Sequence, residues 1–250
     1  MEASQRAPVR GPTFIRLLAR LSDTSVPPPR QSLSDRLSQW IDWAHAVALS
    51  TALDGRPAAA HDEQALDSTQ NECARVRALL ANAIVGDRAF SAPAQRGSAN
   101  AGGTGAEEAP DYPFFRQRYL ALQQAMEANI DQLRGRLREK LAHRSLDLAR
   151  LAAVDAAMER ALSRRERTLL STVPVLLAGH YERLRQDAQT TSADALGDTS
   201  TAASDAWLGV FRKDMQHVLL AELDVRLQPA EGLIAALGAS PMGSRVQKSA

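Results

Sequence analysis

Residues 114–173 read FFRQRYLALQQAMEANIDQLRGRLREKLAHRSLDLARLAAVDAAMERALSRRERTLLSTV. No proline falls in this stretch, and Gly135 is its one glycine. Leu, Ala, Arg, Glu and Gln dominate it. These residues lose little rotamer freedom in a helix, so the stretch predicts a long helical arm. Leu122, Met126, Ile130, Leu133, Leu137 and Leu141 recur every three or four residues, the spacing of one helix face. Leu148, Leu151, Met158, Leu162 and Leu169 continue at a 3.5-type spacing with gaps. Strict heptads are not sustained, which points to a bundle helix or an imperfect coiled coil. A break at His143-Arg144-Ser145 would fold the arm into an antiparallel hairpin. Pro174 kinks or ends its second half, and Val175–Leu184 reads as helix again. A helix this long needs a partner surface, on its own chain or another.

Upstream, Gly11-Pro12 opens a short helix to about Ser22, with Phe14, Leu17, Leu18 and Leu21 on its apolar face. Pro27-Pro28-Pro29 makes an extended connector. Ser32 and Asp35 form a capping pair for a helix carrying Leu33, Leu37, Trp40, Ile41, Ala44, Val47 and Ala48, with Gly55 as its stop. Asp62 caps a third helix whose inward residues are Leu66, Cys73, Val76, Leu80 and Ile84; Gly86 ends it. Residues 1–87 are thus expected to form a small N-terminal helical unit. Residues 88–110, almost all small or polar, read as a flexible, disordered linker. Residues 111–238 hold the arm and a C-terminal helix, separated by a low-complexity loop at 186–204. Ser204 caps that last helix, Trp207, Phe211, Val218 and Val225 line it, Gln228-Pro229 interrupts it and Gly238 ends the short segment beyond. Residues 239–250 form a loose tail.

Composition agrees with an all-α fold. Apolar residues make up 44% but aromatics only 4%, so the core must be built from Leu, Ala, Val and Met. No stretch alternates apolar and polar residues as a half-buried strand does. Net charge is +1, which gives no global pull toward nucleic acid or membrane. Lysine occurs only at Lys140, Lys213 and Lys248, so arginine supplies nearly all the positive charge. Cys73, the one cysteine, allows no disulfide within the chain and reads as a small core residue. No run of 18 apolar residues exists to span a membrane, and Arg16 and Arg20 interrupt the stretch Phe14–Leu21, which disqualifies a secretory signal. A cytoplasmic location is expected.

Few patterns carry chemistry. Asp42/His45 and Asp214/His217 are Asp-x-x-His pairs that put both groups on one side of a helix, as in carboxylate-bridged dimetal bundles. Asp42 projects away from its helix's apolar stripe, toward solvent. Asp214 shares the stripe of Trp207, Phe211 and Val218, with Glu222 at its edge, so Asp214, His217 and Glu222 are the metal candidates. An acid on an apolar face needs a partner, and an arginine is the expected one. Arg134, Arg136, Arg138, Lys140 and Arg144 form a basic run spread around the helix, read as a solvated face in preference to a phosphate or nucleic-acid contact. No aromatic residues interleave with it for base stacking. His61, His143 and His180 match no metal spacing. Trp40, Trp43 and Trp207 read as core or interface anchors. Trp43 projects away from the Trp40 stripe, so Trp43, with Trp207, is a candidate contact for a partner. No catalytic residue and no cofactor are expected.

Three segments carry a further likeness: Gly11-Pro12 through Leu21; Arg30-Gln31-Ser32-Leu33-Ser34-Asp35-Arg36-Leu37-Ser38-Gln39-Trp40; and Phe211-Arg212-Lys213-Asp214-Met215-Gln216 with Ala221-Glu222-Leu223-Asp224. On these the chain resembles an uncharacterised family of β-proteobacterial proteins with no assigned function. The resemblance implies a genomic setting beside genes for a membrane protein and a peptidoglycan-binding, outer-membrane-type protein, and hence a soluble accessory to an envelope complex. It carries no catalytic residues. The function expected is a protein-binding scaffold or adaptor, with homo-oligomerisation through the arm. A metal-dependent enzyme and a weak nucleic-acid binder are the alternatives.

Overall fold

The computed structural model describes residues 12–23, 31–54, 65–90, 110–194 and 200–239. Among them the regular structure is α-helix throughout, with no strand, so the chain is all-α. Most of the expected linker over 88–110 (residues 91–109) and of the tail over 239–250 (residues 240–250), with Asp62, Gly55 and the triple proline, lies outside the described residues.

Contacts divide the chain into two compact units that do not follow the expected boundaries. One comprises Met1–Arg30, Ala78–Glu127 and Glu166–Arg226; the other Gln31–Arg77, Ala128–Arg165 and Leu227–Ala250. The stretch 1–87, expected to be one N-terminal unit, is divided between the two. Its first helix and the end of its last join the first unit; what lies between joins the second.

In the first unit, α1 (Thr13–Leu21) buries Phe14, Ala19 and Leu21. It packs on α7 (Val173–Asp194), where Arg183 donates to the Leu21 carbonyl. Asp23 closes α1 with φ 52°, the left-handed turn that ends many helices; Asp tolerates it better than most residues. α4 (Ala65–Val85) stops at Gly86, as its sequence predicts, and its last turns bury Leu80 and Ile84. The start of α5 (Tyr112–Ala142) adds Phe115, Tyr119, Leu122 and Met126. Val173, Leu177 and Tyr181 come from α7; Leu208, Phe211, Met215, Val218 and Leu219 come from α8 (Ser200–Gly238). The centre is aromatic despite the low aromatic content. Phe211 meets Phe115 at 5.2 Å, Tyr181 at 5.0 Å and Tyr112 at 6.2 Å, all edge-to-face, the arrangement ring quadrupoles prefer.

In the second unit the rest of α5 buries Ile130, Leu133, Leu137 and Leu141, completing the stripe read from its spacing. α5 ends at Ala142 and α6 (Leu146–Leu170) begins after the His143-Arg144-Ser145 break, with the Leu148 N–H bonded to Ser145 Oγ at 3.2 Å. Ion pairs of Arg134 with Glu159 and of Arg138 with Asp155 lie symmetrically about that turn, the register of an antiparallel hairpin. The inward residues of α6 are Ala149, Ala152 and Ala157, whereas Leu148, Met158 and Leu162 are half-buried and Leu151 is exposed. The acids decide this rotation: Asp155 and Glu159 turn to meet the arginines of α5, which brings the alanine side in. Leu169, in the first unit, is exposed too.

Three other expectations are corrected. The helix expected over 33–54 is two, α2 (Leu33–Trp40) and α3 (Trp43–Asp54). Asp42 breaks it because its carboxylate accepts the His45 N–H at 2.9 Å, acting as an N-cap. The Ser32–Asp35 capping box upstream is present as read. The loop expected at 186–204 is mostly helix, since α7 runs to Asp194 and α8 starts at Ser200, four residues ahead of the expected Ser204 cap. Pro229 does not interrupt α8. A proline inside a helix costs about 3 kcal/mol or more. Leu227, Leu233 and Leu237 on either side are buried, and burying a Leu is worth about 1.5–3 kcal/mol each, enough to hold the helix through it. Pro174, by contrast, sits in the first turn of α7, where its missing N–H costs nothing.

Candidate functional site

Asp214, His217 and Glu222 do not converge. Asp214 pairs with His180 of α7, Nε2 to Oδ2 at 2.9 Å, so its partner is a histidine and not the expected arginine. His217 is exposed. Glu222 lies on the buried side with no solvent contact. Among the described residues no group of three His, Cys, Asp or Glu side chains could hold a metal ion.

Glu222 is instead the acceptor of a closed network. Tyr119 Oη donates to Oε2 at 2.7 Å, Gln123 Nε2 to both oxygens at 3.0 Å, and Arg226 Nε to Oε1 at 2.8 Å. Gln123 also donates to the Leu170 carbonyl at 3.2 Å. Burial, and then the Glu222 charge, push the Tyr119 phenol well above its ordinary value. Both oxygens of the acid are engaged by the chain's own donors, so the cluster joins α5 to α8. A helical sequence can place Glu222 near the apolar stripe, but nothing in it foretells that Tyr119 and Gln123 on α5 will meet it.

The basic run is also engaged. Arg134 and Arg138 each reach both Asp155 and Glu159, at 2.6–2.9 Å. Arg136 and Lys140 share Glu72 of α4, and Lys140 also donates to Thr69 at 3.2 Å. Burial raises the Glu72 carboxyl, but the hydrogen bonds from Lys140 and Arg136 outweigh it and hold the group below its ordinary value. These cations tie α4 and α6 to α5. They are committed to carboxylates and do not form the solvated face expected of them.

Cys73 is buried, and its thiol is pushed up by burial, then by Glu231, which disfavours the reactive thiolate. Trp207 is half-buried, with its ring 5.1 Å from Tyr181. Trp43 is the opposite case at 84% exposure. Around it, neither α2 nor α3 buries any residue, and Leu33 (71%), Leu53 (57%) and Val47 (47%) face solvent. Trp40 of α2 lies under the Arg165 guanidinium of α6, 5.4 Å from the ring centroid. A shallow groove on α3 is lined by Val47, Ser50, Thr51 and Asp54.

A family model matches residues 1–239. The chain belongs to DUF3348, a family of proteins of unknown function. Comparison with curated proteins and with solved structures finds no match. No described helix of this DUF3348 member is long and apolar enough to cross a membrane.

Proposed function

We propose that this DUF3348 protein is a non-enzymatic helical adaptor that binds protein through α2 and α3, acting in the cytoplasm as an accessory to a cell-envelope complex. The observation that carries the reading is the contrast in burial. The stripes of α5 and α8 are covered by their own chain, whereas α2 and α3 present Leu33, Trp43, Val47 and Leu53 to solvent. Tryptophan beside aliphatic side chains on an exposed helix is the composition of a binding anchor. The polar clusters inside the fold support the same reading, since Glu222, Arg134 and Arg138 are held by internal partners. The envelope setting is supported by the resemblance carried on residues 11–21, 30–40, 211–216 and 221–224. Oligomerisation through the arm loses its support, because the apolar stripe of α5 is already buried.

The test is a photo-crosslinking amino acid placed at position 43, compared with one at Asp147, whose side chain is 90% exposed on a polar stretch. In cells of the native host, a discrete protein adduct from position 43 and none from 147 is expected. Equal labelling from both positions, or none, counts against the reading.

A further inference from the structure

We draw no further inference here: the strongest candidate, the exposed apolar face of α3 around Trp43, Val47 and Leu53, belongs to the site already described, and nothing in the structure shows what covers it.

Discussion

α5 and the α2–α3 pair were read from the same signal and met different fates. Both carry apolar residues at helical spacing. On α5 every one of them, from Leu122 to Leu141, is buried. On α2 and α3 none is. The spacing of apolar residues says which side of a helix avoids water. It does not say whether the same chain provides the cover. For α5 the cover is fixed by polar anchors as well as by apolar fit: Tyr119 and Gln123 reach Glu222, and Arg134 to Lys140 reach Asp155, Glu159 and Glu72. α2 meets α6 through the stacking of Arg165 on Trp40. An internal face is thus recognisable by its ionic and hydrogen-bonded anchors.

The largest expected effect breaks an anchor. Glu222→Ala leaves the Tyr119 hydroxyl buried without its acceptor and strips Arg226 of its nearer carboxylate, with Glu166 still at 3.4 Å, and loss of about 3–5 kcal/mol in urea denaturation is expected. Leu137→Ala, at a site with no solvent exposure, should cost about 2–5 kcal/mol through lost burial and the cavity left behind. If either variant matched the wild type, the described difference between α5 and α2–α3 would collapse.

How much of this was legible beforehand follows from what the signals depend on. The α5 stripe, the break at residues 143–145, the Ser32–Asp35 cap and the stop at Gly86 are local events, set by residues within a turn or two. They were readable. The His180–Asp214 pair, the Glu222 network and the salt bridges of the basic run depend on which helices meet, and no local spacing encodes that. The rotation of α6 was misread because leucine outweighs alanine in any hydrophobic count, while Asp155 and Glu159 decided the facing side. Pro229 was misread because a breaker is a local cost and its compensation, at Leu227 and Leu233, is tertiary. The exposure of Trp43 was legible from its projection, but not that its helix would bury no residue.

Titration sharpens the contrast at intermediate scale. Burial pushes the Tyr112 phenol up to about 12, against an ordinary value near 10, and Tyr119 is raised as well. A folded-state value above the unfolded one means the stabilisation is complete below about pH 10 and is lost as pH climbs toward about 12. Urea midpoints across that window should fall, and Tyr112→Phe should flatten the fall. Glu72 runs the other way, since its folded value is lowered. Its contribution is present above its ordinary value of 4.5 and disappears as pH drops through the lowered one, so Glu72→Gln should flatten the acid limb.

The smallest effect is the most telling about α3. Trp43→Ala and Leu33→Ser remove large apolar groups, and in a core each would cost several kcal/mol. At 84% and 71% exposure there is no cavity to leave and little burial to lose, so unfolding free energies measured at low protein concentration should move by no more than about 0.5 kcal/mol. Iodide should quench a fraction of the tryptophan emission that vanishes in Trp43→Phe, because Trp40 lies under Arg165 and Trp207 packs on Tyr181. A Trp43→Ala loss of several kcal/mol, or emission that iodide cannot reach, would mean the chain covers α3 itself and would erase the distinction between the two regions. A neutral result leaves Trp43 with no part in folding, as the proposed binding role requires.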